Sequence, residues 1–172
     1  LFVARIMKEK GIDLFLAAAK KFTKEHSNVF FDVVGQCDDP AYRGILKTAQ
    51  GNGEIVYHGL QSDVTPFYEK CACFLYPSYY PEGMSNVLLE AAACGRPVIA
   101  ADRAGCREID GVSGFLVPVN DETAVLDAVE QFLALSYEKR RAMGLAGRDR
   151  MKQKFDRELV VEEYLKQLQG WS

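Results

Sequence analysis

An α/β fold built on a parallel sheet is what this sequence predicts, and three observations predict it. Short apolar runs of strand length recur from the first residue to about residue 119. Most are followed by a loop carrying glycine, proline or aspartate and then by a segment of helical period. The stretch 73–102, CFLYPSYYPEGMSNVLLEAAACGRPVIAAD, contains the repeating unit whole: a strand closed by Pro77, an irregular turn, a helix-forming run stopped by Gly95 and Pro97, and a second strand. A strand, helix and strand with tight joints make a right-handed crossover, and the ligand-facing edge of such a sheet lies at the carboxyl ends of its strands.

The elements follow in order. Leu1-Phe2-Val3-Ala4 is an apolar strand, and since the chain opens in it without Met it reads as a portion of something longer. Ile12, Phe15, Ala19 and Phe22 recur at helical spacing over residues 12–26. Residues 29–35, VFFDVVG, form a second buried strand, ended by a glycine where a backbone must pass close to a ligand or neighbour. Asp38-Asp39-Pro40 is a turn that can cap a helix over residues 41–50. Residues 55–58 are the third strand, with His58 as a satisfied polar residue at its end, Gly59-Leu60-Gln61-Ser62 as its exit loop and residues 63–70 as a short helix. Cys71 and Cys73 stand two apart at the start of the next strand and should share a buried face. After the central unit, Gly105 and residues 111–114 give a glycine-bearing connection into a sixth strand over 115–119. Asn120-Asp121-Glu122 opens a helix to about residue 135, residues 137–155 form a strongly charged helix with a solvated face, and residues 156–169 carry an apolar stripe of Leu159, Val160, Tyr164, Leu165 and Leu168. The sum is one three-layer Rossmann-like domain over residues 1–172 with a parallel sheet of about six strands.

Composition excludes several classes of function. At 172 residues the chain suffices for one domain burying roughly 70% of its unfolded surface. The net charge of −3 and the scattering of its 21 basic residues argue against a nucleic-acid partner. Neither a run of the roughly 20 apolar residues needed to span a bilayer nor a signal peptide is evident, so a soluble, cytoplasmic protein is expected. Five cysteines without a C-x-x-C pair, and two histidines, do not make a zinc site or a disulfide framework.

Two stretches carry chemistry. Ser85 or Asn86 can cap the helix of the central unit, whose first amides and positive dipole end attract phosphate. Glu90 lies four or five residues inside that helix, and Glu82 approaches from the turn. Two carboxylates framing an anion site suit a ligand with hydroxyls beside its phosphates, such as a nucleotide sugar, because ionised carboxylates only accept hydrogen bonds. Taken alone, the stretch is slightly better described by a solvated Glu82 and a Glu90 that steadies the first helical turn. Arg5 and Lys10 flank the first strand-to-helix loop, on the same edge, where two cations can grip a diphosphate from the side opposite the helix amides. That loop by itself is better described as solvated and basic, with Lys8, Lys20, Lys21 and Lys24 nearby.

Together these residues resemble a known family. Arg5 with Lys10-Gly11, Pro77-Ser78, Glu82-Gly83-Met84-Ser85-Asn86-Val87 with Glu90, then Ala-Ala-Ala-Cys-Gly-Arg-Pro-Val-Ile-Ala, Gly105, and Gly114-Phe-Leu-Val-Pro match in order and spacing, over positions 1 to about 133, the C-terminal, donor-binding half of a retaining GT-B glycosyltransferase of family 4. The resemblance implies transfer of a sugar from a nucleoside diphosphate sugar to a saccharide or lipid-linked acceptor, without metal or cofactor, at the cytoplasmic face of a membrane for a lipid-linked acceptor. It implies that Arg5 and Lys10 bind the diphosphate and stabilise the departing charge, that the amides of Gly83, Met84, Ser85, Asn86 and Val87 contact phosphate and sugar, that Glu90 holds the ribose and Glu82 the transferred sugar, and that Leu60 and Gln61 border the base. It also implies an acceptor-binding N-terminal domain, onto which helices at about 137–170 would pack. A nucleotide-sugar epimerase or a non-catalytic nucleotide-binding module of the same fold are the other readings; epimerases generally lack this set of Arg5, Lys10, Glu82 and Glu90.

Overall fold

The computed structural model describes residues 1–81, 83–109 and 113–169. Its strands are β1 (Phe2–Val3), β2 (Asp32–Val34), β3 (Val56–Tyr57), β4 (Phe74–Tyr76), β5 (Val98–Ala101) and β6 (Gly114–Val117). The helices are α1 (Ile12–Glu25), α2 (Pro40–Gly51), α3 (Thr65–Lys70), α4 (Asn86–Ala93), α5 (Glu122–Ala134), α6 (Tyr137–Phe155) and α7 (Arg157–Gln169).

Two three-stranded parallel pieces, β1-β2-β3 and β4-β5-β6, make up the sheet. They meet where the Leu75 amide donates to the Leu1 carbonyl at 2.9 Å and the Leu1 amino group donates to the Cys73 carbonyl at 3.0 Å. The strands therefore run in the order 3-2-1-4-5-6, and the order reverses between β1 and β4. In doubly wound sheets the ligand crevice opens at that point, beyond the carboxyl ends of the two strands.

Alternation along each strand builds the two outer layers. Phe2, Val33, Leu75 and Ile99 face one core with Phe15 and Phe22 of α1, Leu46 of α2 and Phe132 of α5. Val3, Val34, Phe74, Tyr76, Val98 and Ala100 face the other, with Tyr68 of α3, Leu88 of α4 and Met151 of α6. The helices expected after Asp38-Asp39-Pro40 and from Asn120-Asp121-Glu122 are capped by Asp39 and Asp121, whose carboxylates accept from the Ala41 amide at 2.8 Å and the Ala124 amide at 2.9 Å. Gly35 is required: with φ of 146°, a Cβ there would stand 1.8 Å from the Ala4 carbonyl oxygen.

Two expectations change and two gain detail. The second strand is shorter than the apolar run: β2 begins at Asp32, which pairs with Val56 of β3, and Phe30 is 77% exposed. Cys71 closes α3 instead of starting β4, so period 2 does not relate it to Cys73; the two pack against opposite cores. The connection at Gly105 is a 3₁₀ helix, Ala104–Ile109, while the glycine at 111 lies outside the described residues.

The fourth concerns α6, which is more than a solvated charged helix. Gly144, Gly147 and Met151 are buried against α4 and its exit, and a Cβ at Gly144 would stand 2.0 Å from the Gly95 carbonyl oxygen. Arg140 ties α6 back to α5, donating to the Leu135 carbonyl at 3.0 Å and the Leu133 carbonyl at 2.7 Å with its guanidinium over Phe132. Replacing Gly144 by alanine gains up to about 1 kcal/mol of helix propensity but forces α6 off α4. The expected net effect is a loss of roughly 1–3 kcal/mol, read as a lowered melting temperature; an unchanged or raised one would show that the helices do not depend on this close approach. Among the described residues no helix is long and apolar enough to cross a membrane.

Candidate functional site at the carboxyl edge

The loop after β1 and the turn after β4 are clamped together. Lys8–Lys10 forms a single 3₁₀ turn, and the Glu9 carbonyl at its centre accepts from the Tyr79 amide at 2.9 Å, the Tyr80 amide at 2.8 Å and the Ser78 hydroxyl at 3.4 Å. Gly11 makes this approach feasible: its φ is +79°, and a Cβ there would lie 2.4 Å from the Pro77 carbonyl oxygen. From the far side, Arg103 beyond β5 donates to the Ser78 carbonyl at 2.9 Å.

Lys10 is drawn into this junction and is only 8% exposed. Its ammonium donates to the Tyr76 hydroxyl at 3.4 Å and sits 4.5 Å from the Tyr80 ring centroid. A cation over an aromatic face, largely removed from water, keeps much of its capacity to attract an anion. Arg5, two residues beyond β1 in the same loop, is exposed.

The turn then enters α4. Ser85 is its N-cap in extended conformation, but the side chain makes no cap bond; its carbonyl accepts from the Leu88 and Leu89 amides at 3.1 and 3.2 Å. Ser85 thus stands at the N-cap position expected for it or Asn86, without a side-chain cap bond. Gly83, Met84 and Asn86 are exposed, Val87 is half-buried, and nothing lies within 4 Å of a Cβ built at Gly83. Glu82 lies outside the described residues.

Glu90, at the surface of α4, is anchored from below. The Tyr68 hydroxyl donates to its Oε2 at 3.1 Å. Tyr68 is itself 1% exposed, and burial first, then the adjoining Glu90 carboxylate, hold its phenol well above the ordinary tyrosine value. An aromatic ladder joins the two halves of the site: Tyr68 stands edge-on to Phe74 at 5.6 Å, Phe74 stacks on Tyr76 at 5.8 Å, and Tyr76 meets Lys10.

Leu60 and Gln61 are exposed in the loop after β3, which a bond from the Gly35 amide to the Gly59 carbonyl fastens to the end of β2. They share the edge but stand three strand spacings, about 14 Å, from β4. His58 is the satisfied residue expected, 2.7 Å from Asp32 Oδ1. At the opposite, amino edge a separate cavity of about 420 Å³ is lined by Phe31, Cys71, Cys73 and Phe132, where burial pushes the Cys73 thiol up to about 12. Sequence reasoning missed Tyr68, Tyr76 and Arg103; an aromatic at every other position from 74 to 76 was the one available signal for the ladder.

The family model of glycosyl transferases group 1 matches residues 1–134. The capsular polysaccharide biosynthesis glycosyltransferase CapM of Staphylococcus aureus is 29% identical over 170 residues, covering 94% of this chain and 43% of that protein. Among solved structures, Anabaena Alr3699/HepE, crystallised with UDP, superposes with a TM-score of 0.83 at 20% identity, over 98% of this chain and 48% of that one. The C-terminal domain of the glycosyl transferase group 1 family protein LpcC from Francisella tularensis superposes with a TM-score of 0.78 at 22% identity, over 90% of this chain and 84% of that one. This chain thus spans less than half of the first two proteins but most of an isolated C-terminal domain, so its fold is the C-terminal half of the two-domain GT-B architecture. With the family model covering the whole crevice from Arg5 through Glu90 to β6, the chain belongs to the glycosyl transferases group 1 family.

Proposed function

We propose that the chain is the donor-binding half of a retaining glycosyltransferase, holding a nucleoside diphosphate sugar along the carboxyl edge for transfer to a saccharide or lipid-linked acceptor presented by an N-terminal half. The observation that carries this reading is the clamp of the Glu9 carbonyl on the Tyr79 and Tyr80 amides, which seats the Lys10 ammonium beside the turn that leads into α4.

On this reading the diphosphate lies between two sources of positive charge. Lys10 and Arg5 face it from the β1 loop, and the amides of residues 83–87 with the positive end of α4 face it from the turn. As the bond from the anomeric carbon to the phosphate oxygen breaks, the electron pair leaves with the phosphate, and these groups stabilise the growing charge without a metal ion or cofactor. The acceptor oxygen adds on the same face, and its proton passes to the departing phosphate. Glu90 accepts from the ribose hydroxyls, Glu82 from the transferred sugar, and Leu60 and Gln61 border the base. The exposed stripe of Leu159, Val161, Tyr164, Leu165 and Leu168 on α7 supports a docking role toward the N-terminal half; Val160, expected in the stripe, has a side chain outside those described.

Calorimetric titration of the 172-residue chain with UDP, GDP and ADP tests the assignment. One of the three is expected to bind, and Glu90→Ala to weaken it roughly tenfold or more, the scale of hydrogen bonds to a charged group. The isolated chain is expected to show no transfer. Equal affinities in wild type and variant would remove Glu90 from the site, and efficient transfer by the chain alone would contradict the two-domain reading.

A further inference from the structure

Glu90 is a surface carboxylate on a helix, and such a side chain ordinarily samples several rotamers. Here it is tethered. Tyr68, on a different helix and fully buried, spends its one hydroxyl proton on Glu90 Oε2 at 3.1 Å. The tether has something to work against: Glu90 shares a cavity of about 450 Å³ with Arg148 and Lys152 of α6 and with Asp156 at the end of that helix, and the two cations outnumber the one other carboxylate that would repel a loose Glu90. The Tyr68 ring cannot follow, because it is locked edge-on against Phe74 of β4 and the hydroxyl is delivered from inside the core. One bond from Tyr68 leaves the remaining lone pairs of the carboxylate available, enough to accept from two vicinal hydroxyls.

We infer that Tyr68 is a positioning residue for the nucleoside: it holds Glu90 in the one orientation that offers its free lone pairs to the ribose diol. The inference rests on the reading that Glu90 takes the ribose. It predicts an effect specific to that diol, which a merely structural tie between α3 and α4 would not produce.

The test compares Tyr68→Phe with wild type in calorimetric titrations of whichever of UDP, GDP and ADP binds tightest, and of its 2′,3′-dideoxy counterpart. Tyr68→Phe keeps the buried ring and leaves no orphaned buried group, since Glu90 is exposed, so its melting temperature should stay within a few degrees of wild type. Losing the pre-organisation of one side chain predicts an affinity about twofold to tenfold weaker for the natural diphosphate, little change for the dideoxy compound, and no further loss when Tyr68→Phe is added to Glu90→Ala. Unaltered affinity for the natural diphosphate, or equal losses on both ligands, would overturn the inference. If Glu90→Ala itself fails to distinguish the two ligands, or if no diphosphate binds, the ribose assignment of Glu90 falls first and the positioning role falls with it.

Discussion

Replacing Lys10 by alanine should weaken nucleoside diphosphate binding to this chain by about tenfold to a hundredfold, and lower sugar transfer by the intact enzyme by about 10²- to 10³-fold, the scale of removing one preorganised charge from a transition-state site. The ammonium is 8% exposed and set among Tyr76 and Tyr80, and in such surroundings its attraction for phosphate is screened far less than at an open surface. The transfer rate should fall more than the affinity, because the departing phosphate carries more charge than the bound donor. Lys10→Met fills nearly the same volume and should fold as the wild type while showing the same functional loss. Calorimetry on the two variants checks the first effect and steady-state kinetics of the full-length protein the second. Wild-type affinity in Lys10→Met would take Lys10 out of the site.

Gly11→Ala should be among the most damaging substitutions of a single methyl group at this edge. The residue combines a φ of +79° with a Cβ position 2.4 Å from the Pro77 carbonyl oxygen and 2.7 Å from its carbonyl carbon. Both obstacles are backbone, so neither a side-chain rotation nor a small shift relieves them. A loss of roughly 2–4 kcal/mol follows from the strained dihedral and the clash together. For a chain of this size that lowers the melting temperature by roughly 5–15 °C. The second consequence is functional: relief of the clash moves the β1 loop off the turn, breaks the bonds to the Glu9 carbonyl and carries Lys10 away from the entry to α4. Thermal unfolding and diphosphate titration on the same sample should therefore fall together. A destabilised variant with intact affinity would show that the clamp does not organise the site.

Much of the architecture was legible because local signals agree with the fold. Helices follow the Asp-bearing turns at 38–40 and 120–122 as read, Gly35 falls at a close approach that resolves to the Ala4 backbone, and the alternating strands and helices place Arg5, Lys10 and the Glu82 turn on one edge before any coordinates are known. What was not legible depends on residues far apart in the chain. The burial of Lys10 arises from Tyr76, 66 positions away, and the tether on Glu90 from Tyr68, 22 positions away. No periodicity encodes such pairs. The solvated face of helix 137–155 was legible, but its buried side was not: its charges dominate the pattern, whereas its packing is set by Gly144 and Gly147, whose signal is the absence of a side chain.

A structure of the chain with a nucleoside diphosphate bound tests the central claim most directly. The diphosphate should lie beyond the ends of β1 and β4, with phosphate oxygens near the Lys10 ammonium on one side and the first amides of α4 on the other, and with the ribose hydroxyls at Glu90. A diphosphate seated elsewhere, such as the amino-edge cavity lined by Phe31 and Cys73, or one that reaches α4 without approaching Lys10, would contradict it.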